Sequence, residues 1–310
     1  MAAFLISYLY ETRKRGCAVR KAEDRIFRGI LGLLTLVTVL LLAFLIFFIF
    51  RESLPAIREV GLKNLLLGDS WRPIIYSDAP SFGFRNMILS TLYVSALAVL
   101  FALIVGVGCA LFLACAASER QRTLVMPYID LLASVPSVVY GFVGLYIVVK
   151  FFEKCGMATG ESVLAGGIVL SVMILPYMIS SCCDTMVRIR NRYQASSQAL
   201  GTSKWYMAGQ LVLPASIRGI LISMALATGR AMGETMAVMM VMGNSIGFPR
   251  LLGKGETISA LIAMEMGIAV VGSTHYSALY TAGFVLMVLL FAINLGFETL
   301  KRKLKGGSAL

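Results

Sequence analysis

Charge is what this sequence has least of. Only 14% of its 310 residues are Asp, Glu, Lys or Arg, while 58% are hydrophobic; an ordinary soluble domain carries about 25% charged residues. Too few charges remain to wet a globular surface, and the mean hydropathy of +0.84 says the same. A water-soluble enzyme or binding module is excluded. Histidine is nearly absent, His275 being the one copy. The six cysteines (Cys17, Cys109, Cys115, Cys155, Cys182 and Cys183) show no metal-ligand spacing. Most fall in apolar runs as small hydrophobes, so neither a metal site nor a disulfide framework is supported. A phosphate-binding loop is missing as well. Gly253-Lys254 runs on into Gly255, with no Ser or Thr to hold magnesium and no Gly at the required distance upstream. Any nucleotide hydrolysis must happen on another chain.

What the sequence has is long apolar runs. A spanning helix needs roughly 20 apolar residues, because the hydrocarbon core is about 30 Å thick and a helix rises 1.5 Å per residue. Six stretches qualify: Phe27 to Phe50, Met87 to Cys115, Thr123 to Val149, Ser162 to Val187, Ile217 to Gly243, and Tyr276 to Phe297. The expected fold class is all-α integral membrane with six transmembrane helices. Gly, Pro or ionisable residues interrupt the second, third and fifth. The first run is too long for a signal-peptide core and no cleavage pattern follows it, so it reads as an uncleaved anchor. The segment from Arg51 to Arg85 is mixed in character and is expected to lie loosely over the outer membrane surface.

The net charge of +12 does not point to nucleic acid, because the basic residues form no aromatic-interleaved stripe. They sit between apolar runs. The N-terminal tail, the second-to-third and fourth-to-fifth connections and the C-terminal tail together hold 18 Lys and Arg, and the opposite side holds 9. The positive-inside rule then puts both termini in the cytoplasm, as an even number of spans requires.

Ionisable residues within spans are costly, about 2.5–3.5 kcal/mol on insertion scales, and face cavities or one another. Arg230 is about twelve residues into the fifth run, near the midplane. Glu234 is one turn further on and on the same face. Two readings are open: an internal ion pair locking two helices, or a cationic site on an anion path with Glu234 orienting or neutralising Arg230. Gly219, Ser223, Ala227 and Ala231 form a small-residue ridge, and Gly229 with Gly233 forms a GxxxG pair; both favour close helix approach. A guanidinium's planar fork suits tetrahedral oxyanions. Asp130, in the third run, is expected to pair with an interfacial Arg. Pro136, Gly141 and Gly144 kink or thin that run, and Pro136 and Ser137 join Asp130 as secondary candidate site residues. His275 is expected at the membrane interface.

The longest cytoplasmic loop, about 188–214, is not shaped like a mere connector. Tyr193 to Leu200 suits two helical turns with Gly201 as a stop, and Thr202 or Ser203 suits the cap of a second short helix leading to Pro214. Ala199 and Leu200 would present an apolar knob to a partner; the alternative is an amphipathic linker on lipid headgroups. Ala199-Leu200-Gly201, then Trp205, then Leu213-Pro214 resembles the coupling loop of ABC-transporter permeases, which docks on an ATPase subunit. The family's Glu-Ala-Ala reads Ala195-Ser196-Ser197 here.

Further stretches resemble the PstC-type permeases of phosphate-specific ABC transporters. They are Phe82-Gly83, the run Leu131 to Gly141 containing Pro136-Ser137-Val138-Val139-Tyr140-Gly141, Gly229 to Val238, Gly243-Asn244, and Gly272 to Leu279. The likeness runs from about Trp71 to the C-terminus. It implies a type I ABC importer permease fold with a cytoplasmic coupling helix, in a bacterial inner membrane. It also implies a heterodimer with a second related permease, a cytoplasmic ATPase dimer and a periplasmic phosphate-binding protein. ATP and magnesium would belong to the ATPase; no cofactor, metal or catalytic group is expected on this chain. Arg230 and Glu234 take the place associated with phosphate passage, and Asp130 stands where a Glu is usual. The organisation expected is 1–70 (tail, first span, start of the outer loop), 71–300 (permease domain) and 301–310 (basic tail). The rivals are a permease for sulfate or molybdate, a proton-coupled secondary transporter, and, last, a membrane enzyme.

Overall fold

The computed structural model describes the backbone of residues 2–73 and 80–306, and side chains over 27–73 and 80–304. The chain separates into two compact units, Met1–Glu52 and Ser53–Leu310. The first unit is one helical stretch, the greater part of α1 (Ala2–Glu59). Its most apolar 18-residue window, within Phe27–Glu59, has a mean hydropathy of 3.1, and the apolar residues there lie open within the chain, as in a helix surrounded by lipid or by a partner.

In the second unit, α1 ends and α2 (Leu62–Leu67) leads to a two-residue antiparallel pair, β1 (Trp71–Arg72) with β2 (Ser81–Phe82). The described residues of the Arg51–Arg85 segment are packed and not loose, contrary to the expectation from its mixed sequence. Trp71 is 1% exposed and packs with Leu65, Phe82, Phe84 and Met87 against Ile258, Leu261 and Ala278. Aromatic burial outweighs the local polarity.

The long helices follow. α3 (Arg85–Leu111) runs through a π turn to Ala116. α4 (Glu119–Ser134) starts at a capping box, Ser118 with Gln121. α5 (Ser137–Gly144) continues through a π turn into α6 (Lys150–Lys154). α7 (Val163–Ala199) is 37 residues long. It is the packing axis, with α3 and α10 (Ile217–Met232) along it. Ala98, Ala102, Gly106 and Ala110 recur every fourth residue on α3, and a Cβ on Gly106 would come within 3.0 Å of Met178 Cβ. The small-residue ridge of α10 also packs on α7: Ser223, Ala227 and Ala231 are buried, and a Cβ on Gly219 would come within 2.4 Å of Thr185 Cγ2. The second small pair behaves differently. A Cβ on Gly229 would meet nothing within 4 Å, so Gly229 and Gly233 are no packing motif within the described chain.

Among the described residues, four helices are long and apolar enough to cross a membrane, and two bent pairs bring the number to six if each is one span. The third span turns by 88° between α4 and α5, and the fifth by 59° between 204–215 and α10. Pro136 causes the first bend, since proline lacks an N–H and pushes Val135 out of helical geometry. The fifth span also stops early. α10 ends at Met232, and only a short α11 (Met236–Val241) follows the break. α12 (Ile258–Glu265) and α13 (Thr274–Gly306) complete the chain.

Candidate functional site

The break after Met232 decides what Arg230 and Glu234 can be. Gly233 closes α10 with its N–H on Gly229 O, and Glu234 N–H reaches Ala231 O. Glu234 therefore lies outside the helix that carries Arg230, and the expected one-face, one-turn pairing does not form. Arg230 stands in the last turn of α10, where the partial negative charge of the carbonyl end favours a cation. Glu234 stands just before α11 and accepts the Ala237 N–H at 3.1 Å, an acid at a helix N-terminus. Each charge answers a helix end, and among the described residues no ion pair joins them.

The Arg230 guanidinium is exposed and lies over the Tyr177 ring, 4.1 Å from the centroid. The edge of that ring belongs to the bend of the third span. A helix end in an apolar region must find partners for its carbonyls. Ser134 Oγ donates to Leu131 O at 2.7 Å, Tyr140 Oη to Leu132 O at 2.7 Å, and Tyr177 Oη to Ala133 O at 3.0 Å. Pro136 and Ser137 make the corner itself. Asp130, one turn back on α4, accepts from Ser180 Oγ at 2.8 Å rather than from an Arg. Asp130, Pro136, Ser137 and Arg230 are thus brought into one neighbourhood by Tyr177 and Ser180 of α7. Tyr177 and Ser180 belong to none of the motif stretches singled out in the sequence, and Tyr140 figures there only as part of the Pro136–Gly141 run. The available signal was Pro176-Tyr177, a hydroxyl-bearing aromatic beside a proline inside an apolar run.

Ala199, Leu200 and Gly201 lie elsewhere, at the end of α7. No separate two-turn helix precedes them, because α7 continues unbroken from the membrane into the loop. Gly201 has φ +66°, a left-handed conformation that glycine adopts without strain, and its N–H bonds Gln198 O. Ser203 then caps α8 (Lys204–Tyr206), which winds through a π turn, Met207–Val212, into α9 (Leu213–Ala215). The outcome is an exposed apolar knob, with Leu200 79% and Trp205 71% accessible. Beside it a polar cavity of about 290 Å³ is lined by Ser118, Gln121, Arg190, Gln198, Thr202 and Lys204.

A second polar cluster lies at the hairpin end. Glu265 Oε2 accepts the Trp71 indole N–H at 2.8 Å and stands 2.7 Å from His275 Nε2. His275 is 4% exposed, buried within the chain at the start of α13. Glu256 is 5% exposed, and burial, with the nearby Glu265 charge, pushes its carboxyl up to about 7. These carboxylates were invisible in the sequence because neither Glu256, just before α12, nor Glu265, at its end, belongs to a motif.

The helical order, the bent spans and the knob define a class, the type I ABC importer permease fold. The backbone matches a chain of the inward-facing MetNI methionine ABC transporter with a TM-score of 0.55 at 16% identity, covering 70% of this chain and 94% of that one. It matches a chain of the bacterial alginate ABC transporter in complex with its alginate pentasaccharide-bound periplasmic protein with a TM-score of 0.56 at 17% identity, covering 86% and 94%. The sequence says which family: residues 106–306 match the binding-protein-dependent transport system inner membrane component, and the chain belongs to that family. It is a multi-pass membrane subunit of a transporter and is not itself the ATPase. Among its relatives is a probable ABC transporter permease protein, YqgH, of Bacillus subtilis, 34% identical over 240 residues and covering 76% of each chain. The phosphate transport system permease protein PstC of Xylella fastidiosa (strain Temecula1) is 34% identical over 244 residues, covering 72% of this chain and 74% of that one. A probable PstC of the archaeon Methanocaldococcus jannaschii is 30% identical over 275 residues, covering 82% and 86%.

Proposed function

We propose that this chain is the PstC-like permease half of an ATP-driven importer of inorganic phosphate. Kinship with PstC permeases over about three quarters of the chain supports the substrate class. The observation that carries the site is Arg230, a guanidinium on the open side of α10, stacked on Tyr177 and free of any carboxylate among the described residues. A planar fork without a competing anion is suited to a tetrahedral oxyanion.

Phosphate would arrive from a periplasmic binding protein, pass Arg230 between this chain and a second related permease, and leave on the cytoplasmic side. Glu234 borders the path as the acid at the start of α11. ATP and magnesium would be held by a cytoplasmic ATPase dimer whose closure moves Ala199, Leu200 and Gly201. The chain converts that motion into access and does no covalent chemistry. Both termini would be cytoplasmic. Reconstitution with ATPase, second permease and binding protein, followed by phosphate-32 uptake with sulfate and molybdate as competitors, tests the reading. ATP-dependent phosphate uptake resistant to both competitors is expected. Uptake of sulfate or molybdate in its place would move the chain to the rival oxyanion class.

A further inference from the structure

Of the three hydroxyls that satisfy carbonyls at the α4 end, the one on Tyr177 belongs to a side chain with a second task. Its ring carries Arg230 at 4.1 Å while its Oη donates to Ala133 O at 3.0 Å. The negative face of a tyrosine ring attracts a guanidinium, and a hydroxyl at apolar depth needs an acceptor. One side chain meets both demands and cannot move without loosening one of them. α4, to which the hydroxyl is bound, is a single helix of 16 residues, about 24 Å long. Its other end, Ser118 and Gln121, borders the polar cavity with Thr202 and Lys204 of the loop after α7. One helix therefore has the exposed loop at one end and, through Tyr177, Arg230 at the other.

We infer that Tyr177 is a positioning residue for anion passage: its ring holds the Arg230 guanidinium in place, and its hydroxyl ties that guanidinium to the end of α4. The inference rests on the reading of Arg230 as the anion centre. Its chemistry differs from that of Arg230, since Tyr177 acts through the arginine.

The test uses the complete reconstituted transporter with its ATPase and binding protein, and compares Tyr177→Phe, Tyr177→Leu and Arg230→Gln. The readout is phosphate-32 transported per ATP hydrolysed, beside the yield of assembled complex. Tyr177→Leu removes ring and hydroxyl and is expected to lower that ratio about tenfold while ATP hydrolysis continues. Tyr177→Phe keeps the ring and is expected to lower it about threefold at full complex yield. A purely structural tyrosine would lower uptake, hydrolysis and yield together and leave the ratio unchanged. If Tyr177→Leu assembles poorly, Tyr177→Phe decides: a lowered ratio supports the inference and a wild-type ratio overturns it. Arg230→Gln separates the two claims. Wild-type uptake in that variant removes the anion centre itself. Lost uptake there, with wild-type ratios in both Tyr177 variants, overturns the positioning role alone.

Discussion

Arg230 and Glu234 stand on opposite sides of a helix break. The arginine closes α10 and lies over Tyr177, while the glutamate opens α11 by accepting the Ala237 N–H. Four residues apart in sequence, they have separate partners and separate consequences.

Their substitutions should therefore be independent. Arg230→Gln is expected to abolish phosphate uptake at normal complex yield, and Arg230→Lys to restore only part of it, because an ammonium lacks the bidentate fork. Glu234→Gln should weaken the start of α11 by about 1 kcal/mol. In a double-mutant cycle on thermal stability in detergent, the coupling energy should stay below about 0.5 kcal/mol. A coupling of 2 kcal/mol or more would mean a direct ion pair and contradict the break.

Leu200 and Gly201 offer a test of the knob. Leu200 is exposed, so Leu200→Asp should leave the thermal midpoint within the small range of surface changes. Gly201→Asp forces a Cβ-bearing residue to φ +66° and is expected to cost about 1–2 kcal/mol locally. Both should reduce co-purification of the ATPase without impairing membrane insertion. Wild-type recovery of the ATPase with both variants would remove this segment as its docking point.

Glu256 predicts a pH dependence. Its carboxyl ordinarily titrates near 4.5 and is raised to about 7 by burial and by Glu265. The folded chain then binds more protons than the unfolded chain between those values. This contribution to stability is fully present below about 4.5 and is lost as pH rises through about 7. The thermal midpoint should fall as the pH is raised from 5 to 8 (about three units across the window). Glu256→Gln, which stays neutral, should flatten that slope and be the more stable form at pH 8. A slope unchanged by the substitution would assign the titration to another group.

Topology is open to chemical labelling. Cys155 follows α6 and is exposed, whereas the Cys17 side chain lies outside the described residues. Cys109 is exposed within the chain but sits in the membrane-spanning α3, where an impermeant reagent does not reach. An impermeant maleimide should label Cys155 in intact cells and leave Cys17 unlabelled until the membrane is opened. The reverse pattern would invert the orientation drawn from the Lys and Arg bias.

The sequence by itself determined the solvent in which this protein lives. Apolar runs of spanning length separated by basic connections are a property of composition, and no folding detail can undo them. It also determined the loop stop at Gly201, because a left-handed turn after a helix is local chemistry. The small ridge from Gly219 to Ala231 was legible for the same reason, since helical spacing alone puts those residues on one face. Only the tertiary structure decided what the charges do. Periodicity assumes an unbroken helix, and whether Gly233 ends one depends on Ser259 Oγ reaching Glu234 O from a distant segment. The bend at Pro136 was signalled by a proline, yet one of its carbonyls, Ala133 O, is satisfied by Tyr177 from another helix, 44 residues away in sequence. Glu256, Glu265 and His275 carry no sequence pattern either; burial by α3, α13 and the hairpin sets their chemistry. Local spacing fixes which face a residue takes along one helix. Long-range contacts choose where helices stop and which groups meet, and those contacts placed Arg230 over Tyr177.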